Sequence, residues 1–207
     1  MIDGIKGGVI AAIPFLLICL TIVVVVRLTN SYFATLSTAL LIALFLAYYA
    51  NKKFLHYSNQ EMGLKKVEKF NTLVCFIAIG VLVGIVSVRA QLFLSQTMGR
   101  SSDVFYEFIA VLVAAPIIEE ILFRGFVFRY IEIKTKSGVL ALLLSSLAFA
   151  SLHIGTISIG LTLVTKRFLA KFISGFLYGV LFYRFRNLLP GMIAHFTNNL
   201  IGFVMVS

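Results

Sequence analysis

Two adjacent glutamates and an arginine stand inside an apolar run of this sequence. Glu119 and Glu120 follow Pro116-Ile-Ile, and Arg124 comes four residues after Glu120. An ionisable group at the centre of a bilayer costs roughly 2.5–3.5 kcal/mol on insertion scales, so such groups indicate pairing inside a bundle and mark functional sites. On a helix Glu120 and Arg124 share a face and can pair, whereas Glu119 is rotated by about 100° and is left for chemistry.

Two of the three histidines also lie in apolar runs. His153 ends the motif Phe149-x-x-x-His153, and His195 begins the motif His195-x-x-x-Asn199. In each motif the two named residues fall on one helix face. At a rise of about 1.5 Å per residue, Glu119 and the two histidines can converge at one level in the inner half of a membrane.

The elements that carry these residues are predicted from composition. Of 207 residues, 60% are hydrophobic and only 13% are charged. Soluble domains carry about 25% charged residues, so this chain has too few to cover a water-facing surface. Its long unbroken apolar runs favour helices over β-strands, which would alternate apolar and polar residues. We therefore expect an all-α, polytopic transmembrane helical bundle.

The apolar runs predict about seven membrane spans, with six to eight as the range, since a helix of about 20 residues crosses the hydrocarbon core. They lie near residues 7–27, 32–50, 71–92, 104–128, 138–156, 168–184 and 188–206. The stretch 157–165 is too short to cross and is a loop, a re-entrant piece or part of a longer sixth element. Without a repeat or a low-complexity linker, the prediction is a single integral membrane domain over 1–207.

The basic residues predict an orientation. With the N-terminus inside, inner segments hold eleven Lys and Arg and outer segments hold six, although the cluster from Lys166 to Lys171 opposes this orientation. The basic residues that give the net charge of +10 lie beside the predicted spans. There they can contact anionic lipid headgroups. Membrane lipid is therefore the expected partner, and nucleic acid is not.

The ordered motifs resemble those of the CPBP family, which comprises CAAX prenyl endopeptidases and bacteriocin-processing or Abi-like intramembrane proteases. The resemblance covers a catalytic core at about 105–205, and nothing before about residue 100 contributes to it. The motifs that carry it are Glu119-Glu120-x-x-x-Arg124, Phe149-x-x-x-His153 and His195-x-x-x-Asn199.

The resemblance implies a role for each motif residue. Glu119 and His153 would activate a water, His195 and Asn199 would stabilise the oxyanion, and Glu120 with Arg124 would shape the site. A carboxylate in a low-dielectric site can act as a general base near neutrality. Imidazole and amide donors suit the negative charge that develops in acyl transfer.

A metal ion is an open alternative. Glu119, His153 and His195 form a plausible three-ligand zinc set with an open position for water. No HExxH motif occurs in the chain. Members of the family are described as metalloproteases, and a metal-free glutamate mechanism has also been advanced for them.

The resulting hypothesis is an intramembrane endopeptidase that hydrolyses a peptide bond of a membrane-associated protein or peptide. The compact chain is similar to bacterial members, which are linked to peptide maturation, bacteriocin immunity and signalling, so a bacterial cell membrane is the expected location. Two rivals are a transporter that uses the buried charges and a non-catalytic membrane scaffold or immunity protein. The absence of an inverted repeat in the sequence weakens the transporter.

Overall fold

The computed structural model describes residues 41–42, 44–45, 47–49, 51–93, 108–153 and 161–205. Every regular element in these ranges is helical. The chain divides into two compact units, Met1–Tyr57 and Ser58–Ser207. The first unit ends in a single π-helical turn, Asn51–Leu55. The predicted span at 7–27, and most of that at 32–50, lie outside the described residues.

The second unit carries five long helical segments. They are α1 (Phe70–Phe93), α2 (108–135), α3 (Gly138–Leu152), α4 (Leu161–Phe185) and α5 (Leu189–Met205). Their positions follow the last five predicted spans. Within the described residues, α1 and the Val164–Phe185 part of α4 are long and apolar enough to cross a membrane, and α3 is apolar but shorter. The all-helical prediction is confirmed, whereas the count of seven spans and the single domain stay predictions.

Helix α4 begins seven residues before its predicted start. Leu161–Val164 are helical, so the third alternative for the stretch 157–165 is right for its described part. The predicted span began after Lys166 and Arg167, and both residues were counted in an outer segment. Lys and Arg are good helix formers, however, and only Gly or Pro would have broken the helix there. The basic cluster up to Lys171 therefore lies within a helix and not in a loop.

Small residues bring α1 into close contact with α5. A Cβ atom on Gly80 would lie 2.8 Å from Ile193 Cβ, and one on Gly84 would lie 2.6 Å from the carbonyl oxygen of Ala194. This G-x-x-x-G spacing allows the two backbones to approach, as in membrane helix pairs. Further along the same face of α1, Ser87 and Gln91 are also buried.

A second G-x-x-x-G pair brings α4 against α3. A Cβ atom on Gly175 would lie 2.8 Å from the ring of Phe149, and one on Gly179 would lie 2.5 Å from Leu142 Cδ1. Phe149 is fully buried. The glycine at 175 thus makes the space that the first aromatic residue of the Phe149-x-x-x-His153 motif fills.

The polar end of α2 is tied to the turn between α4 and α5. Arg186 donates two hydrogen bonds to the Glu132 carboxylate at 2.8 and 2.7 Å, and Arg129 donates a third at 2.6 Å. Burial alone would raise the pKa of Glu132, but these bonds outweigh it and hold that pKa below its usual value. The cluster lies beyond the apolar part of α2, which ends at Phe128.

This cluster predicts a loss of stability in acid. Because the pKa of Glu132 is lowered in the folded protein, its contribution is complete above the unfolded pKa, near 4.5, and is lost as the pH falls through the folded value. We expect Glu132→Gln to cost roughly 1 kcal/mol at pH 7, as for a solvent-screened pair, and progressively less as the pH falls below the unfolded pKa. Thermal unfolding of both proteins in detergent from pH 7 to 3 tests this, and a constant difference between them would contradict it.

Candidate active site

The glutamates lie on an irregular part of α2. Here an α-helical segment, Ala115–Glu120, is flanked by π-helical turns at Phe108–Ala114 and Ile121–Phe128. Pro116, in the first turn of the α-segment, has no amide hydrogen to donate. Its π-helical partner would be the carbonyl of Val111, five residues back. Asn199 of α5 replaces the missing donor, since its Nδ2 donates to Val111 O at 2.9 Å.

Glu120 and Arg124 form the ion pair that their four-residue spacing permits. Arg124 Nη1 lies 2.9 Å from Glu120 Oε1, and both side chains are fully buried. Arg124 Nη2 donates to the carbonyl of Gly175 at 2.5 Å. The guanidinium also lies 4.9 Å from the centroid of the Phe149 ring, so its charge is held by an ion pair, a backbone dipole and an aromatic face.

Glu119 faces both motif histidines. Its Oε2 lies 3.7 Å from His153 Nε2 and 3.8 Å from His195 Nε2. Among the described residues this buried oxygen has no hydrogen-bond partner. The separations are too long for direct hydrogen bonds, yet one water molecule could contact the carboxylate and an imidazole together.

The backbone determines which nitrogen of His153 faces Glu119. His153 Nδ1 lies 2.8 Å from the carbonyl oxygen of Phe149. A carbonyl only accepts, so Nδ1 carries the hydrogen and the Nε2 lone pair of the neutral ring faces the carboxylate. The side chain is 21% exposed, against 5% for Glu119 and 4% for His195. His153 therefore forms the accessible edge of the cluster.

His195 lies between the two glutamates. Its Nδ1 is 3.5 Å from Glu120 Oε1, while its Nε2 faces Glu119. The ring of Tyr178 is stacked on the imidazole, with centroids 5.0 Å apart at 23°. Gly191, one turn earlier on α5, approaches the other Glu120 oxygen, where a Cβ atom would lie 3.0 Å away. α5 can thus approach the glutamates only because that position has no side chain.

The metal alternative concerns the side chains of Glu119, His153 and His195. Within the described residues no group of three or more His, Cys, Asp or Glu side chains is placed to hold a metal ion. Glu119 Oε2 nevertheless lies 3.7 Å from His153 Nε2 and 3.8 Å from His195 Nε2, so these are the side chains that would hold a zinc ion if one is bound.

The structure brings Glu119, His153 and His195 together and places Glu120 and Arg124 beside them. Asn199 donates to a backbone carbonyl, as described above. Sequence reasoning missed Gln91, Ser174 and Tyr178, which are polar residues within apolar helices, and such a position was the available signal.

Comparison with known proteins gives one match within this region. A family model described as type II CAAX prenyl endopeptidase, Rce1-like, matches residues 101–201. No curated protein and no solved structure matches the chain. The matched segment contains all three motifs.

Proposed function

Through residues 101–201 this chain belongs to the CPBP family of CAAX-type integral membrane proteases, and on that premise we propose that it hydrolyses a peptide bond with a water activated by Glu119 and His153. The observation that carries the proposal is the buried, unpartnered Oε2 of Glu119, placed 3.7 and 3.8 Å from two imidazole nitrogens. Glu120 differs because the ion pair from its Oε1 to Arg124 compensates its charge, although its Oε2 also has no hydrogen-bond partner among the described residues.

The first step is attack by water. Glu119 accepts one proton of the water as its oxygen attacks the carbonyl carbon of the scissile bond. The Nε2 lone pair of His153 accepts the hydrogen bond from the second water proton and so orients the nucleophile. Holding the water in this way places it at the short distance that attack requires.

The second step is collapse of the tetrahedral intermediate. The negative charge on the former carbonyl oxygen needs hydrogen-bond donors in a water-poor site. In the tautomer with its hydrogen on Nε2, His195 can donate to it, and Asn199 has one amide hydrogen beyond that used on Val111. The carbon–nitrogen bond then breaks, and the proton held by Glu119 passes to the leaving amine.

The histidine at the edge gives a direct test. We expect His153→Gln to lower kcat about 100-fold, since an orienting base is lost while the fold is kept. The matched control is His56→Gln, the same change at an exposed residue of the other unit. The readout is mass-spectrometric detection of peptides cleaved by the purified protein in liposomes. Equal loss in both variants, or in neither, would contradict the assignment.

Zinc is the alternative for water activation. Purified active protein would then contain about one zinc per chain, and chelation would remove both metal and cleavage. The proposal expects cleavage without stoichiometric metal. A zinc content that falls in step with activity would replace Glu119 and His153 as direct activators with a metal-bound water.

The proposed substrates are membrane-associated proteins or peptides, with membrane lipid as the surrounding partner. A bacterial membrane, an inside N-terminus, and a role in peptide maturation or bacteriocin immunity belong to the same proposal.

A further inference from the structure

A chain of buried amides connects α1 with the candidate active site. Gln91 Nε2 donates to Asn198 Oδ1 at 2.9 Å and to Ser174 Oγ at 3.0 Å. Asn198 Nδ2 donates to Asn199 Oδ1 at 3.2 Å. Asn199 Nδ2 in turn donates to the carbonyl of Val111. The chain of hydrogen bonds therefore joins α1, α4, α5 and α2.

The direction of this chain is fixed at one end by backbone. A carbonyl oxygen only accepts, so Asn199 must turn its NH₂ group toward Val111 and its oxygen toward Asn198. Asn198 then presents NH₂ to Asn199 and is left with an oxygen that needs a donor. Gln91 supplies that donor. Reversing any one amide would place two acceptors or two donors against each other in a low-dielectric interior.

A second branch reaches His195. Ser87 Oγ donates to Ser174 Oγ at 2.7 Å and lies 3.2 Å from the hydroxyl of Tyr178. The Tyr178 ring is the one stacked on His195. Ser87, Ser174 and Tyr178 are between 0 and 1% exposed. α1 therefore contacts the groups that orient both members of the His195-x-x-x-Asn199 motif.

We propose that Gln91 is a positioning residue for the protease. It acts through Asn198 to hold the Asn199 side chain, and it shares Ser174 with the branch that leads to His195. Gln91 lies outside the segment 101–201 that matches the family model, so neither that match nor the motifs assign it a role. This inference rests on the proposed function and adds a residue of α1 to the same site.

The test is a double-mutant cycle on cleavage. Gln91→Met keeps the length of the side chain and removes its hydrogen bonds. We expect it to lower kcat about 10-fold, as loss of a supporting hydrogen bond does, with KM changed less than about twofold. In an Asn199→Ala background the same change should have no further effect on kcat, because the group that Gln91 positions is gone.

Serine-to-alanine changes at two buried positions provide a second pair of variants, each of which removes only one hydroxyl group. Ser174→Ala removes the hydroxyl that joins the two branches, and Ser145→Ala removes one that donates only to Leu142 O of its own helix. Both residues are buried, at 1 and 0% exposure. We expect Ser174→Ala to lower kcat and Ser145→Ala to leave it unchanged. Ser174→Ala should also lower the midpoint of thermal unfolding more than Ser145→Ala, because it leaves the Gln91 and Ser87 donors without their acceptor, so kcat is compared at a temperature where both variants are folded.

The outcomes separate the two proposals. If the parent cleaves, Glu119→Gln does not, and Gln91→Met and Ser174→Ala cleave like Ser145→Ala, the positioning role is overturned and the proposed function stands. Multiplicative effects of Gln91→Met and Asn199→Ala would overturn it too, since independent effects indicate general packing. If Glu119→Gln cleaves like the parent, or no peptide is cleaved, the proposed function fails and the positioning role with it.

Discussion

Glu119→Gln should abolish peptide cleavage and leave the folded bundle intact. The amide has nearly the shape of the carboxylate but cannot accept a proton from water, so the loss should reach about 10⁴-fold, the upper end for a general base. The midpoint of thermal unfolding should not fall, because Oε2 has no hydrogen bond to lose among the described residues. Cleavage of an anchored peptide in liposomes measures the loss of activity, and thermal unfolding in detergent measures the stability.

A matched control and two rival functions sharpen this result. Glu68→Gln makes the same change at an exposed loop residue and should cleave like the parent. A transporter would show solute or proton flux that depends on Glu119 without any cleavage. A membrane scaffold would keep its biological effect in both variants. Glu119→Gln that cleaves at the parental rate would overturn the proposed mechanism.

Arg124→Met should be the most destabilising of the changes considered. It leaves the fully buried Glu120 carboxylate without its ion pair, and breaking a buried pair from one side costs about 3–5 kcal/mol. The free energy of unfolding from denaturant titration in mixed micelles measures this. The variant should also release the Gly175 carbonyl, which accepts from the same guanidinium.

The double variant Glu120→Gln/Arg124→Met separates charge from packing. With both charges removed, no isolated ion is buried, and most of the lost stability should return. Arg129→Met is the control, because Arg129 and Glu132 are 20 and 15% exposed and a screened pair is worth at most about 1 kcal/mol. A double variant as unstable as Arg124→Met alone would show that shape, and not charge, decides stability there.

The sequence was sufficient for the helices and for the first members of the site. Apolar runs of about the length that crosses a bilayer predicted the positions of α1 to α5, and a spacing of four predicted that Glu120 and Arg124 pair. It was sufficient because both inferences depend only on local geometry: a helix length and a helix face. The same geometry placed Glu119 off the face of that pair, so it was predicted to have no contact with Arg124.

The remainder depended on contacts between helices. Nothing local to Asn199 shows that its NH₂ faces Val111, because that carbonyl is vacant only through Pro116, 83 positions earlier in the chain. The hydrogen bonds of Gln91 and Ser174 likewise form only because the G-x-x-x-G faces place α1 beside α5 and α4 beside α3. The early start of α4 was missed because the predicted span began only after the charged residues Lys166 and Arg167, although no helix-breaking residue stands there.

The contact of Gly80 and Gly84 with α5 bears on how this protein can be divided. A fragment starting at residue 101 would retain every motif but present to lipid the side of α5 that α1 now covers, together with the Asn198 amide oxygen that now accepts from Gln91. Hydrocarbon offers that oxygen no donor. The smallest unit worth expressing or transplanting into a chimera therefore includes α1, and its border lies well before the border of the recognisable motifs.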